Sequence, residues 1–312
     1  MKQGGVLSPI LFNIYFDILL TRLQKDGYGC HIGKQYMGSF AYADDIVLLS
    51  PTVSSLRKQL VLCDHFSREF NINFNATKSK LIVYGRNDVH VEFQGQTIPT
   101  CSDEFHVGNL VGSNPVVDQI VIKNACNQLY SRLNILIRQF SYVDSFTLYF
   151  LFNTFCMSMY GSQLWNLGLP KMMEPLYIAW RKCVRRIFAL PYNTHCNLLP
   201  NIAQDTSIDF KLQQRFCKFI QNAYASNNKC IKLCVNLVEL GSKSNVSRTW
   251  NFICSVYNFD RFYFNGKLTL EKPIIDEHIC IKSGLIRDLI GYSMHEKQDN
   301  NVKELIKYLC TE

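Results

Sequence analysis

Apolar residues at Ile10, Leu11, Ile14, Ile18, Leu19 and Leu23 recur every three or four positions, the period of one helix face. Ser8 is placed to cap that helix and Pro9 to occupy its first position, so the pattern predicts a helix from 8 to about 24, ended by Asp26-Gly27 and Gly29. The period then shortens. Phe40 and Tyr42, then Ile46 to Leu49, are strand-formers on either side of Ala43-Asp44-Asp45, which reads as a hairpin with carboxylates at its turn. Helical spacing returns over 52–70 through Leu56, Leu60, Cys63 and Phe66, and short strands are expected over 72–74 and 80–84. Residues 88–115, punctuated by Gly95, Pro99, Gly108, Gly112 and Pro115, read as irregular β structure. Beyond 116 the spacing is mostly helical, with helices expected over about 116–139, 145–160 and 174–189. Polar breaks such as Asn227-Asn228 divide the helical stretches of the last hundred residues.

Composition narrows the class. The 312 residues are 47% hydrophobic and 19% charged, which excludes a disordered chain or a coiled-coil rod. A net charge of +8 favours polyanionic partners, and the 13% aromatic content suits base stacking and an ordinary core equally. Thirteen cysteines, an odd number without framework spacing, read as reduced intracellular thiols. Cys230 and Cys234 form the one close pair, and no His or Cys follows at the spacing a zinc site needs. The uncharged stretch 145–170 contains Asn153, Gln163 and Asn166, so it reads as a buried helix and not a membrane span.

Asp44-Asp45 carries the sharpest chemistry. Adjacent aspartates are commonly turn or cap residues. Here apolar strands bracket them, which concentrates negative charge at a rigid bend near a core. Such charge is costly unless a cation neutralises it, and hard divalent ions prefer oxygen ligands.

The surroundings of the pair resemble the reverse transcriptase family, in its non-LTR (LINE-type) retrotransposon branch. Gln3-Gly4-Gly5-Val6-Leu7-Ser8-Pro9-Ile10-Leu11-Phe12-Asn13 is similar to a QGxxLSPxLFN segment, and Ala41-Tyr42-Ala43-Asp44-Asp45 to the (Y/F)xDD hairpin that follows it. Phe74 to Lys80 is similar to the N-x-x-K-(S/T)-K segment. His106-Val107-Gly108-Asn109, Tyr160 to Trp165 and Arg185 to Pro191 resemble weaker elements in the family's order. The resemblance covers about residues 1–200. It implies an α+β fold: a partial right-hand polymerase palm (helix, DD hairpin, helix, strands) over 1–88, a β-rich connection over 89–115 and a helical thumb over 116–200. Residues 201–312 form a mostly helical C-terminal region without a match.

By resemblance the activity is RNA-directed DNA synthesis on a primer 3′-hydroxyl with two Mg²⁺ ions. Its partners would be an RNA template, a DNA primer and deoxynucleoside triphosphates, without a membrane and at a nuclear location. Asp44 and Asp45 would be the metal ligands. Tyr42 would lie beneath the primer end, or else be a core strand aromatic. Gly4 and Gly5 would admit close backbone approach to nucleotide or template, with Gln3 hydrogen-bonding nearby, or else form a loop before a helix. Lys78 would sit by the phosphates of the incoming nucleotide, or else be solvated. Arg181, Lys182, Arg185 and Arg186 form one basic helix face, suited to a nucleic-acid backbone or to plain solvation. His195 is expected to be structural.

In the family a third carboxylate on an upstream strand bridges both metals, and the QGxxLSP-like segment here begins at residue 3. The expectation is a truncated polymerase with little activity on its own. The competing expectations are a retroelement-derived protein that binds nucleic acid without catalysis, and a helical protein with a chance DD hairpin.

Overall fold

The computed structural model describes residues 6–85, 89–114, 116–259, 270–272, 275–295 and 300–311, and of 292–295 the backbone alone. The fold is α+β, with 59% of the described residues helical and 10% in strands. It divides into two compact units, 1–117 and 118–312.

The first unit opens with α1 (Ser8–Asp26). Leu7 already has helical backbone angles and takes the N-cap position expected of Ser8, while Pro9 sits in the first turn. Gly27, at φ 70°, ends the helix and donates its N–H to the Leu23 carbonyl. Then follow β1 (His31–Ile32), β2 (Gln35–Tyr36), β3 (Ser39–Tyr42), β4 (Asp45–Leu48) and α2 (Val53–Phe70). The Thr52 side chain caps α2 by accepting from the Ser55 N–H. The strand expected over 72–74 is absent: among the described residues no neighbour pairs with it, although Ile72 and Phe74 still pack on the core. β5 (Leu81–Ile82) is shorter than expected because it has one short parallel partner. β6 (Glu92–Phe93), β7 (Gln96–Thr97), β8 (Thr100–Cys101), β9 (Asp103–His106) and β10 (Asn109–Gly112) complete the unit in two-stranded pairings.

Phe16, Leu19 and Leu23 from α1 and Cys63 and Phe66 from α2 form its core, closed by Val91, Phe93 and Ile98. Phe16 meets Phe66 edge to face, with centroids 6.2 Å apart.

The second unit is helical: α3 (Val117–Gln139, whose first residue falls in the first unit), α4 (Ser145–Phe155), α5 (Pro170–Ile187), α6 (Leu198–Ile202), α7 (Ile208–Ala225), α8 (Lys229–Glu239), α9 (Asn245–Tyr257), α10 (Glu277–His295) and α11 (Asn300–Thr311). α4 stops five residues before the expected end at 160, because Met159 (φ 39°) and Gly161 (φ 76°) take left-handed backbone. Arg215 covers the freed end, donating to the Ser158 carbonyl at 2.9 Å and to that of Met157. α5 starts at Pro170 and not 174, since a proline in the first turn costs no helical hydrogen bond. It stops at Ile187, ahead of left-handed Ala189 (φ 51°).

Residues beyond 200 share the core of the helices before them. Phe152, Trp180, Phe216, Trp250 and Ile286 belong to one cluster. Thr249 ties α9 to the 165–167 segment, donating to the Trp165 carbonyl at 2.9 Å and accepting from the Leu167 N–H at 3.0 Å. None of the thirteen cysteines is in a disulfide, and no described helix is long and apolar enough to cross a membrane.

Candidate active site and basic face

The acidic hairpin is a two-residue connection. Tyr42 pairs with Asp45, Ala41 with Ile46, Phe40 with Val47 and Ser39 with Leu48, which leaves Ala43 and Asp44 as the bend. Ala43 takes left-handed backbone (φ 53°), as tight hairpin turns require. Alternation along the strands directs Ile46 and Leu48 onto the core and leaves Phe40 and Tyr42 exposed. Tyr42 is 66% exposed, so its core-aromatic alternative fails. Both aspartates are exposed as well.

The root of the hairpin is fixed from α2. The fully buried Gln59 donates through Nε2 to the Gly38 carbonyl at 2.9 Å and to the Tyr36 hydroxyl at 3.1 Å. The same carbonyl accepts the Leu49 N–H at 2.8 Å. Gly29 fits against this root only without a side chain: a Cβ there would stand 2.7 Å from Gln59 Nε2 and 2.8 Å from Gly38 Cα.

Beside the bend lies a groove of about 690 Å³ between α1 and β3. Asn13, Phe16 and Asp17 from α1 line one wall, and Ala41, Tyr42 and Asp44 the other. Asp17 was missed by sequence reasoning. Its signal was its position four residues after Asn13, which puts two polar side chains on one face of the mostly apolar stretch 9–20 of that helix.

Exposed carboxylates at Asp44 and Asp45 are hard oxygen donors of the kind that suits Mg²⁺, an ion often held by one or two carboxylates plus substrate phosphates. Among the described residues no group of three or more His, Cys, Asp or Glu could hold a metal ion.

Lys78 stands exposed on a turn organised by Asn75, whose Oδ1 accepts the Lys78 N–H at 3.0 Å and the Thr77 hydroxyl at 2.7 Å. Among the described residues no ion pair joins Lys78 to the aspartates. Gln3, Gly4 and Gly5 lie outside the described residues. His106 to Asn109 form a hairpin turn with Val107 (φ 46°) and Gly108 (φ 73°) at its centre.

Residues 1–101 match the family described as reverse transcriptase (RNA-dependent DNA polymerase). The segment is also similar to Pol polyproteins of R2 retrotransposable elements. Identity is 34% over 121 residues with a type-1 R2 protein of Popillia japonica, 38% of this chain and 16% of that one. It is 37% over 78 residues with the R2DM protein of Drosophila melanogaster, 25% of this chain and 7% of that one. The family match and these relatives together support a non-LTR reverse transcriptase over this segment. The reverse transcriptase segment thus includes the acidic hairpin, the groove and the Lys78 turn, and the chain spans a small part of the relatives' length.

On α5, within the second unit, the four predicted cations line a cavity of about 350 Å³. They are unequal. Arg181 is half-buried and ion-paired with Glu174 at 3.2 Å. Arg185 donates to the Thr194 carbonyl at 2.7 Å, and its Nε is buried without a partner. Arg186 donates to Asn134 Oδ1, and Lys182 is exposed. His195 is structural, with Nε2 at 3.2 Å from the Thr311 carbonyl and its N–H donated to that of Cys310.

Proposed function

We propose that this chain supplies the acidic hairpin of a polymerase palm, and that the reaction served there is RNA-templated addition of deoxynucleotides to a primer 3′-hydroxyl. The observation that carries the reading is the two-residue bend that sets Asp44 into the wall of a groove, with Asp45 opening the next strand. Asp44 and Asp45 would hold the divalent ions. When bound, Mg²⁺ activates the attacking hydroxyl and steadies the leaving phosphate. Exposed Tyr42 faces the primer end, and Lys78 counters the phosphates of the incoming nucleotide. Gln3, Gly4 and Gly5 meet the nucleotide–template pair. The helices after residue 117 serve as a thumb, with the cationic face of α5 toward the nucleic-acid backbone.

A second reading is favoured by the absence of a third ligand near the pair among the described residues. In it these 312 residues bind nucleic acid without catalysing primer extension. One experiment separates the readings: primer extension on an RNA template with Mg²⁺, comparing the chain with Asp44→Ala and Asp45→Ala. Weak extension, reduced at least about a hundredfold in both variants, supports the polymerase reading. Equal extension by all three proteins would overturn the assignment of the carboxylates. No extension by any of them, with salt-sensitive binding to an RNA–DNA hybrid, supports the binding reading.

A further inference from the structure

The cavity on α5 has a feature that backbone binding leaves unused. Tyr192 stands on its rim with its ring 90% exposed. The loop carrying it is anchored on both sides. Leu190 is buried and donates its N–H to the Arg185 carbonyl at 2.8 Å. Thr194 is 1% exposed and donates both its hydroxyl (2.7 Å) and its N–H (3.1 Å) to the Pro191 carbonyl. An anchored loop therefore holds an aromatic ring in water, at a cavity that four cations also line. Rings held this way are stacking platforms, because every base has a π-face and stacking against a fixed ring costs little ordering entropy.

The cavity floor is suited to an anion. Arg185 is held in place by donating to the Thr194 carbonyl at 2.7 Å and to Cys196 Sγ at 3.5 Å, and it lines the cavity with Arg181, Lys182 and Arg186. A phosphate there would relieve the repulsion among Arg181, Lys182, Arg185 and Arg186 and accept charge-assisted hydrogen bonds from them. At about 350 Å³ the cavity lies at the small end of ligand pockets, about 300–1,000 Å³, which is room for one nucleotide and not for a duplex. A paired base is already stacked within its helix and cannot leave it for Tyr192 without an unstacking cost.

We propose that this cavity binds single-stranded nucleic acid, taking one phosphate against Arg185 and Lys182 and stacking the attached unpaired base on Tyr192. The proposal rests on the nucleic-acid reading above and sharpens it from backbone contact to strand discrimination.

The test measures binding of a labelled oligothymidine and of an RNA–DNA hybrid of equal length by fluorescence anisotropy, over a salt series. The proteins are the full chain and its Tyr192→Ala, Tyr192→Phe and Lys182→Ala variants, with thermal melts to confirm folding. Both substituted positions are exposed, so folding should survive. Tyr192→Ala is expected to weaken oligothymidine binding about tenfold and to leave the hybrid unchanged, while Tyr192→Phe retains affinity. Lys182→Ala should lower the salt slope for the single strand by about 0.7, one phosphate contact. Equal weakening on both ligands, no weakening, or hybrid binding alone by the parent chain would each overturn strand discrimination and leave the nucleic-acid reading standing. Failure of the parent chain to bind either probe at low salt would bring down both.

Discussion

Asp205 demonstrates how one residue can depend on the company it keeps. Its Oδ2 accepts from the Tyr149 hydroxyl at 3.0 Å, from Asn153 at 2.9 Å and from the Lys211 ammonium, and Oδ1 accepts the Thr206 N–H at 2.7 Å. Burial opposes its ionisation, but the Lys211 bond and charge, together with the Thr206 and Tyr149 hydrogen bonds, outweigh burial and hold the carboxyl below its ordinary value of 3.8. A carboxylate depressed in this way stabilises the fold above the unfolded value, and that contribution is lost as pH falls through the folded one. Asp205→Asn should therefore cost about 2 kcal/mol at neutral pH, a buried-pair loss reduced for partial exposure. Urea unfolding would show the gap between parent and variant closing below pH 3.8. A gap of the same size at pH 7 and in acid would mean that the carboxylate's charge is not what counts. The sequence hid this network, because Tyr149 and Asn153 on α4 lie more than fifty residues before Asp205 and no spacing links the two stretches.

At the scale of elements, the two glycines after α1 separate conformational cost from crowding. Gly27 (φ 70°) has open space where a Cβ would go, so Gly27→Ala should cost about 1–2 kcal/mol, the left-handed penalty alone. Gly29 (φ 132°) would drive a Cβ to 2.7 Å from Gln59 and 3.0 Å from the Leu49 carbonyl, so Gly29→Ala should cost at least about 1 kcal/mol more. Chemical denaturation of the two variants checks the order, and equal losses would refute the crowding argument. The DD hairpin and α2 were legible in sequence because alternation and helical period are local signals. The 72–74 strand was misread because a strand needs a partner, and Ile72 and Phe74 found core contacts without one. The groove beside Asp44 was invisible for a related reason. Its walls are α1 and β3, and residue spacing within either element does not report what the other brings to face it.

Across the whole molecule, buried thiols set a common alkaline limit. Burial pushes Cys63, Cys183 and Cys217 up to about 12 and Cys156 up to about 11, from an ordinary 9.0. A group whose folded value is raised gives stability that is complete below the unfolded value and is lost as pH rises through the folded one. From pH 9.0 upward the unfolded chain ionises these thiols and the folded chain does not. Unfolding free energy should fall by up to about 1.4 kcal/mol per pH unit for each thiol, until the folded values are reached. Replacing Cys183 and Cys217 with alanine should flatten that alkaline slope in pH-dependent melts, even though the cavities lower stability at neutral pH. An unchanged slope would assign the alkaline loss to other groups. The two chain units contribute unequally, since Cys63 lies in one and the other three in its neighbour in sequence.

Because Gln59 and the Leu49 amide both clasp the Gly38 oxygen, the acidic hairpin is held at its base and free at its tip. Side chains at the tip can be exchanged without loosening the clasp. A laboratory can therefore rewrite residues 44 and 45 and attribute whatever function disappears to lost chemistry and not to a collapsed scaffold.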